Sequence, residues 1–503
     1  MTAPPLVRRW WWLPIVLLSL TIAVPRLFGE HWPSDAPYYQ AIATKMARGE
    51  SGWWSLMQGD LHYFNKPPLA FWIHGAMVAL FGDADWSARA PEGAFYVLAC
   101  VLLGWLARRL HGPGTGMLAG CILALTSEWV RCIGNFRLEF LHTLLLLGAA
   151  ACWVRAFVPG DGAPRGRRTV AWSALAGVCI GLALMTKPLI GLAFPVLGIV
   201  WLWASCLLTR RRAAIVALSG VVGAAVALPW HISMMTSYGG SFVRSYFWEQ
   251  SLKRATGEMF HARPWNWYFR LIAGNVPESI HPGLMAPIYV GAAAGLLVVA
   301  MRWRTSATRA GDALGALWVV VWFGALCVFS GKQNYYLLVV HPGAAWLGAI
   351  AVVGLISLVL RRWDRGRVHA ASRVMAVFGA IVFLACAFAY SRAVWRNRER
   401  ELPAEQRALV RFIEEHKHEP IYNCGLAYTE AALIYLKTGV WPRSLVEKQP
   451  VPPSDVPPGA LMVYREDHPA TPSADPADPE VFAAPVGGAM YTVRRRHAPG
   501  DRP

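Results

Sequence analysis

The charged residues of this chain fall in short clusters that are separated by long apolar stretches almost free of charge. Only 16% of its 503 residues are charged, against about 25% in soluble proteins. A stretch of about 20 apolar residues can cross a membrane as a helix, because a helix satisfies its own backbone hydrogen bonds there. The pattern therefore predicts many membrane-spanning helices and argues against a single soluble globule.

Eleven stretches have the length and composition of spans. They are Trp10–Phe28, Ala90–Ala107, Gly114–Arg131, Leu138–Phe157, Val170–Thr186, Leu189–Leu208, Ala213–Trp230, Leu284–Met301, Ala313–Ser330, Tyr335–Leu360 and Met375–Tyr390. The shorter apolar run Leu69–Phe81 predicts a re-entrant or surface helix, or an extra span. The fold class is therefore an all-α polytopic membrane protein of about 11 to 13 spans. The first stretch follows Arg8 and Arg9 as in a signal peptide, but no small-x-small cleavage site comes after it, which favours a retained span.

Six short basic clusters set the predicted orientation, because basic loops stay in the cytoplasm. They are Arg8-Arg9, Arg108-Arg109, Arg165 to Arg168, Arg210 to Arg212, Arg302 to Arg309 and Arg361 to Arg367. With eleven spans and a cytoplasmic N-terminus, all six clusters lie on the cytoplasmic side. The net charge of +18 is then explained without nucleic acid as a partner, since a nucleic-acid surface gathers its basic residues on one face.

This topology predicts a membrane domain at residues 1–391, with long outer loops at residues 29–89 and 231–283, and a soluble outer domain at residues 392–503. The C-terminal domain is predicted to be small and α/β. Its expected elements are helices at Glu401–His416 and near Thr429–Lys437, and strands at Pro420–Cys424, Ala460–Arg465, Val481–Ala484 and Met490–Arg494. The nine cysteines show no Cys-x-x-Cys spacing, so neither a metal cluster nor a disulfide framework is predicted.

The outer loops carry the charged residues from which chemistry is expected. Asp35 follows the first span, where a carboxylate near the membrane usually has a partner or a role. The alternative for Asp35 is an N-cap of a helix at Ala36–Arg48. Lys66 precedes two prolines that fix the backbone, and the alternative for it is a lysine that snorkels to the membrane surface. Arg137 and Glu139 open a later span, where the alternative is an interfacial ion pair.

The loop before the eighth span combines aromatic with basic side chains, and the last outer turn pairs a lysine with tyrosines. The residues are Arg244, Tyr246, Phe247, Lys253, Arg254, His261, Arg263, Trp265, Trp267 and Tyr268 in the loop, and Lys332, Tyr335 and Tyr336 in the turn. Carboxylates, cations and aromatic rings at one edge of a helix bundle suit a site for a lipid-linked phosphate sugar, in which a carboxylate either orients the nucleophile or takes its proton. A transporter would also tolerate polar groups at helix ends.

These residues resemble a known family. The motifs are Asp-x-x-Tyr-Tyr from Asp35, Tyr-Phe-x-Lys-Pro-Pro-Leu-x-x-Trp from Tyr63, and Phe-Gly-x-x-x-x-x-Ala-Arg from Phe81. They are similar to the membrane GT-C glycosyltransferases that use polyprenyl phosphate sugars, above all the lipid A 4-amino-4-deoxy-L-arabinose transferase group and its relatives near the protein O-mannosyltransferases. The likeness covers residues 1–345 and continues through Arg137 to Glu139, Leu184 to Pro188, Leu228 to Trp230, Arg263 to Trp265 and Phe329 to Lys332.

The resemblance implies an enzyme of the bacterial inner membrane that moves a sugar from undecaprenyl or another polyprenyl phosphate to a lipid or protein acceptor of the cell envelope. Inversion at the anomeric carbon is implied as well. In this family pattern Asp35 is the catalytic acidic residue, and Glu139 is the second acidic position. Lys66 and Arg263 are implied as contacts to the donor phosphate. The remaining implied substrate contacts are Tyr39, Tyr63, Arg137, Lys332 and Tyr335.

Three positions depart from the family pattern. Asn65 stands where the aminoarabinose transferases usually have a metal-binding Glu, so no zinc site is predicted, no cofactor is assigned and a divalent cation stays open. Tyr38 stands where they have an arginine, and Glu139 where Asp is common. The sequence therefore predicts the scaffold of a lipid-phosphate-sugar transferase, but it does not predict which sugar is transferred or which molecule accepts it. A protein O-mannosyltransferase-like enzyme is one alternative. A transporter or flippase of lipid-linked sugars is another, although the halves of the chain show no repeat.

Overall fold

The computed structural model describes residues 9–28, 35–158, 166–187, 190–258, 262–276, 285–360, 392, 403–444, 450–465, 475, 477–486 and 489–497. Within these residues the chain is mostly helical. Six helices are long and apolar enough to cross a membrane by length and composition, and five shorter apolar helices accompany them.

The helices of the membrane part are numbered α1 to α15. They are Leu13–Ala23, Ala36–Ala47, Leu69–Phe81, Asp85–His111, Pro113–Leu125, Ser127–Cys132, Leu138–Phe157, Arg167–Leu184, Phe194–Ala204, Arg210–Phe242, Arg254–Thr256, Trp267–Ile272, Ala286–Arg302, Arg309–Val328 and His341–Leu360. A π-helix, Val243–Lys253, joins α10 to α11. Short 3-10 helices lie at Val24–Leu27, Ile190–Ala193 and Asn334–Val339. Between α2 and α3 the chain forms a hairpin of β1, Met57–Gln58, and β2, Leu61–His62.

Each of the first ten predicted spans coincides with an apolar helix, and the eleventh, Met375–Tyr390, lies outside the described residues. The bounds of several spans differ from the prediction. The predicted span Gly114–Arg131 is broken at Thr126, whose backbone is extended, so that α5 and α6 are separate helices. The predicted span from Tyr335 begins as a 3-10 helix, and its α-helix starts only at His341. The short run Leu69–Phe81 is helical over its whole predicted length.

Helices α8 and α10 approach each other closely through small residues. A Cβ on Gly177 would lie 2.6 Å from the carbonyl oxygen of Ser219, and a Cβ on Gly181 equally 2.6 Å from that of Gly223. Each pair is four residues apart along its helix, which is the small-xxx-small pattern that lets membrane helices pack backbone to backbone. This contact fixes the end of α8, which lies just before a lysine of the site described below.

Helix α10 corrects the prediction of an outer loop that begins at His231. The helix continues through Pro229 and Trp230 to Tyr238, and the chain kinks at Gly239, whose φ of +50° and ψ of −126° are not helical, before the π-helix begins at Val243. The helical part before this kink is about 43 Å long, beyond the hydrocarbon thickness of about 30 Å. The first part of the predicted loop is therefore a helical extension that holds its basic residues in place.

The C-terminal part has the predicted α/β composition. Its helices are α16, Ala404–Glu415, and α17, Tyr428–Thr438, and its strands are β3, Ile421–Asn423, β4, Leu461–Arg465, β5, Glu480–Val486, and β6, Ala489–Arg495. The strand order is β3-β4-β6-β5, with β3 and β4 parallel and the other pairs antiparallel. All six predicted elements are confirmed. Helix α17 packs against α2 of the membrane part, which brings this domain to the site.

Candidate active site

Asp35 stands at the N-terminus of α2 but does not use its side chain to cap that helix. Pro37 occupies the first turn, where a missing backbone N–H costs nothing. The carboxylate instead accepts a hydrogen bond at Oδ1 from the hydroxyl of Tyr428 on α17. Burial, and then the charge of Asp35, raise the pKa of Tyr428, so that its hydroxyl stays protonated and donates. Asp35 thus occupies the N-cap position, where its backbone carbonyl accepts from Tyr39 at 3.1 Å, but its side chain does not cap the helix.

Tyr39 lies one helical turn after Asp35, on the same face of α2. Its hydroxyl interacts electrostatically with two carboxylates, Asp35 and Glu139, and with two guanidinium groups, Arg137 and Arg254. Burial and the nearby Asp35 raise the pKa of Tyr39, which keeps this hydroxyl neutral. The helix face thus places a neutral hydrogen-bonding group among four charged side chains that come from three parts of the sequence.

Glu139 and Arg137, which flank the start of α7, have separate partners. The ammonium of Lys187, just past the end of α8, donates to Glu139 Oε1 at 2.6 Å. Arg137 lies with its guanidinium 4.4 Å from the centre of the Tyr335 ring. The carboxylate of Glu139 is buried, and a buried carboxylate needs such a cation because its desolvation is costly. Glu139 therefore does form an ion pair, with Lys187 as its cation.

Arg254 enters the cluster from α11, at the end of the helical extension of α10. Its Nη1 donates to the hydroxyl of Tyr336 at 3.0 Å, and its charge acts on Tyr39 and Tyr335. The turn at Gly331 holds it there. A Cβ on Gly331 would lie 1.7 Å from the carbonyl oxygen of Arg254, so only glycine permits this approach.

Lys66, in the segment before α3, contacts the π-helix that leads to Arg254. It is 5% exposed, and its ammonium donates to Gln250 Oε1 of the π-helix at 3.2 Å. Tyr63 is buried nearby, with its ring centre 6.5 Å from that of Tyr39. A lysine that snorkelled to the membrane surface would keep its ammonium in water, so the burial of Lys66 argues against that alternative.

The remaining predicted contacts, Arg263 and Lys332, lie together at the turn after α14. The backbone N–H of Arg263 donates to the carbonyl of Ser330 at 3.1 Å, and its guanidinium lies 4.3 Å from the Trp267 ring centre. The ammonium of Lys332 turns back to the carbonyls of Cys327 and Phe329, where it caps α14. Substrate contacts for both residues stay predictions.

Among the described residues there is no group of three or more His, Cys, Asp and Glu side chains that could hold a metal ion. Asn65, at the position where the family pattern has a metal-binding Glu, accepts a hydrogen bond from Ser245 at 2.9 Å. A neutral amide is a weak partner for a divalent cation compared with a carboxylate.

The structure brings Asp35, Tyr39, Arg137, Glu139 and Tyr335 together, and it adds four residues to which the sequence assigned no role. Lys187 lies in the motif Leu184 to Pro188, Arg254 lies in the loop before the eighth predicted span, and Tyr336 adjoins Tyr335. Tyr428 carried no signal, because it lies 393 residues from its partner Asp35. A half-buried carboxylate beside cations and protonated tyrosines can take a proton from a nucleophile while a phosphate is held by the cations.

Comparisons with known proteins point to the same families as the sequence motifs. Residues 65–232 match a family model described as dolichyl-phosphate-mannose-protein mannosyltransferase. The undecaprenyl phosphate-α-4-amino-4-deoxy-L-arabinose arabinosyl transferase of Edwardsiella ictaluri is 28% identical over 65% of this chain and 56% of that protein. The corresponding protein of Erwinia tasmaniensis is 28% identical over 73% of this chain and 64% of that protein. The chain thus spans about three fifths of the length of these relatives, and the inferred resemblance is confirmed.

Solved structures share the fold along nearly the whole chain. The crystal structure of ArnT from Cupriavidus metallidurans bound to undecaprenyl phosphate aligns with a TM-score of 0.70 and 16% identity, over 98% of this chain and 99% of that one. The oligosaccharyltransferase of Archaeoglobus fulgidus aligns with a TM-score of 0.54 and 14% identity, over 88% of this chain and 62% of that one. The predicted fold class is confirmed, and the chain is a multi-pass membrane protein.

Proposed function

We propose that this chain is a glycosyltransferase that moves a sugar from a polyprenyl phosphate donor, of the undecaprenyl type, to a lipid or other acceptor of the cell envelope. The observation that carries the proposal is the cluster around Asp35, in which two carboxylates, two guanidinium groups and several tyrosines meet at one end of a membrane helix bundle. The aminoarabinose transferases named above support it, since their donors are undecaprenyl phosphate sugars by name.

In the proposed reaction an acceptor oxygen attacks the anomeric carbon of the donor sugar from the face opposite the phosphate. A new carbon–oxygen bond forms, and the bond from the anomeric carbon to the phosphate oxygen breaks, so the polyprenyl phosphate leaves with the electron pair. Asp35 takes the proton of the acceptor hydroxyl. Arg137, Arg254 and Lys66 balance the charge of the leaving phosphate. A phosphate is a stable anion, so no side chain has to protonate it.

A protein acceptor is the second candidate, and the match of residues 65–232 to the protein mannosyltransferase model favours it. The site chemistry is the same in both cases, because a serine or threonine hydroxyl and a glycolipid hydroxyl are equivalent nucleophiles. The acceptor therefore has to be identified from the products that the enzyme makes.

The proposed location of the site is the periplasmic face of a bacterial inner membrane. We expect an alkaline phosphatase fused after Pro503 to be active in cells and a green fluorescent protein at the same position to stay dark, because each folds on one side of the membrane only. The opposite pattern is expected after Arg212, in a connector predicted to be cytoplasmic. A fluorescent fusion after Pro503 would contradict the proposed orientation and would place the C-terminal domain and the site on the cytoplasmic face.

Replacing Lys66 tests the proposed donor. We expect Lys66→Met to raise the Kd for undecaprenyl phosphate by about 10- to 100-fold, since a hydrogen bond to a charged group contributes about 1.5 to 3 kcal/mol. The measurement is calorimetric titration of the purified protein in detergent. Lys417→Met is the matched control, because Lys417 lies exposed on the C-terminal domain and pairs with Glu414. An unchanged Kd for Lys66→Met would remove Lys66 from the donor site.

A further inference from the structure

One side chain of the C-terminal domain reaches the proposed catalytic carboxylate. Tyr428 is the first residue of α17, and its hydroxyl donates to Oδ1 of Asp35. Among the residues that the structure describes, none donates a hydrogen bond to the other oxygen, Oδ2. Asp35 is half-buried, and its Oδ2 keeps accessible surface. The two oxygens of this carboxylate therefore have different surroundings, one engaged by the C-terminal domain and one open.

The C-terminal domain fixes the end of α17 from which Tyr428 projects. The backbone N–H of Ala427, just before the helix, donates to Glu430 Oε2 at 2.9 Å. Glu430 Oε1 accepts from Arg465 of β4 at 2.7 Å and from the hydroxyl of Tyr491 of β6. A carboxylate in the first turn also interacts favourably with the helix dipole. The sheet therefore holds the start of α17 through one glutamate, and with it the backbone of Tyr428.

Helix α17 is also docked on the membrane part of the chain. Tyr435 lies two helical turns after Tyr428 and donates to the carboxylate of Glu50 at 2.8 Å. The guanidinium of Arg48 lies 5.1 Å from the centre of the Tyr435 ring. The ring of Tyr428 itself lies edge-on to that of Tyr38 on α2, with centres 4.9 Å apart. The place of the Tyr428 hydroxyl is thus set from both sides of the junction between the two parts.

A fixed donor at Oδ1 decides which oxygen of Asp35 faces the acceptor. A general base must bring its oxygen within about 2.6 to 3.2 Å of the group whose proton it takes. With Oδ1 engaged by Tyr428, Oδ2 is the oxygen available to the acceptor hydroxyl. After the proton has moved to Oδ2, Oδ1 is the carbonyl oxygen of a neutral acid and still accepts from Tyr428. The same bond therefore orients the carboxyl group before and after the transfer, and Tyr428 keeps its own proton throughout.

We propose that Tyr428 is a positioning residue for Asp35, so that the C-terminal domain completes the active site. Its hydroxyl fixes the plane of the carboxylate and leaves Oδ2 to take the proton of the acceptor hydroxyl. The inference rests on the proposed glycosyltransferase function, in which Asp35 is the general base. It adds that sugar transfer depends on a side chain 393 residues further along the chain.

Tyr428→Phe tests the proposal, because it removes the hydroxyl and keeps the ring against Tyr38. We expect the initial rate of sugar transfer to fall by about 10- to 100-fold, the effect of one lost hydrogen bond to a charged group. The full-length variant is expressed in a strain that lacks the chromosomal gene. Mass spectrometry then follows the sugar that isolated membranes of this strain add to their own glycolipids and glycoproteins. A wild-type rate for Tyr428→Phe would overturn the proposal.

A double-mutant cycle separates positioning from a purely structural role. If the hydroxyl acts through the carboxylate, Tyr428→Phe should change the residual rate of Asp35→Asn by less than about twofold, because the two changes remove one shared function. A structural role would lower that residual rate by the same factor as in the wild type, and this result would also contradict positioning. The Kd for undecaprenyl phosphate, measured on the purified protein, should be unchanged in Tyr428→Phe.

Tyr435→Phe is the matched control on the same helix. It removes a hydroxyl that also donates to a carboxylate of the membrane part, Glu50, but this carboxylate lies outside the proposed site. Its transfer rate should equal that of the wild type, and the Tm values of the two phenylalanine variants should be similar. Equal losses of rate in both variants would show that the junction had loosened, and Tyr428 would have no positioning role.

Failure of this inference can be told apart from failure of the proposed function. If the wild-type protein transferred no sugar and did not bind undecaprenyl phosphate, the proposed function itself would be contradicted. If the wild type transferred sugar and Asp35→Asn did not, full activity of Tyr428→Phe would contradict the positioning role alone.

Discussion

Asp35→Asn is expected to reduce sugar transfer from a polyprenyl phosphate donor by about 1,000-fold or more, because an amide cannot take the proton of the acceptor. The amide has nearly the same shape as the carboxylate and can still accept the hydrogen bond from Tyr428. The variant should therefore insert into the membrane and accumulate like the wild type. The measurement is the initial rate of transfer to the envelope acceptor in isolated membranes.

Asp455→Asn is the matched control for Asp35→Asn. Asp455 is also an aspartate of the outer part of the chain by the proposed topology, but it lies exposed in the short 3-10 helix Pro453–Asp455 of the C-terminal domain. Its variant should transfer sugar at the wild-type rate. Full activity of Asp35→Asn, with normal amounts of protein, would contradict the assignment of Asp35 as the catalytic base.

Arg254→Met should give the second large effect, a loss of about 100- to 1,000-fold in kcat/KM, since removing one preorganised donor to a developing charge typically costs that much. In the resting protein the guanidinium donates to the hydroxyl of Tyr336 at 3.0 Å, and the turn at Gly331 packs against the backbone carbonyl of Arg254. Arg254→Lys keeps the charge but loses the planar geometry of the guanidinium, so its loss should be smaller than that of the methionine variant.

Arg244→Met provides the comparison within the same segment. Arg244 lies on the π-helix with 79% of its side chain exposed and pairs with Glu249 at 3.3 Å. A surface pair of this kind contributes little to stability or function. Equal losses of activity in Arg244→Met and Arg254→Met would show that activity depends on the total positive charge near the membrane. The placement of Arg254 at the donor phosphate would then be wrong.

The membrane architecture could be predicted from the sequence because its physical signal is strong and local. Apolar stretches such as Leu138–Phe157 and Leu69–Phe81 became helices with the predicted bounds. The break at Thr126 and the continuation of α10 beyond Trp230 were not predicted. Hydropathy reports where a helix can cross a membrane, and it carries no information about a helix that leaves the membrane and continues outside it.

The site could be predicted only in part. Asp35, Glu139, Lys66 and Arg137 stood out because charged residues at the ends of apolar stretches are few. Their partners could not be predicted in the same way, since Glu139 forms its ion pair with Lys187, which lies outside its own motif. Tyr428 could not be predicted from any local pattern, because its role depends on how α17 packs against α2. Long-range docking of this kind decides which side chains meet, and spacing along the chain does not encode it.

The most direct test of glycosyl transfer is mass spectrometry of envelope glycolipids and glycoproteins from a strain that lacks this gene. We predict that one sugar substituent disappears from one class of envelope molecule, that the wild-type gene restores it, and that Asp35→Asn does not. The mass difference would identify the sugar, and the molecule that carries it would identify the acceptor. An envelope that is unchanged in the deletion strain, or restoration by Asp35→Asn, would contradict a transferase whose chemistry depends on Asp35.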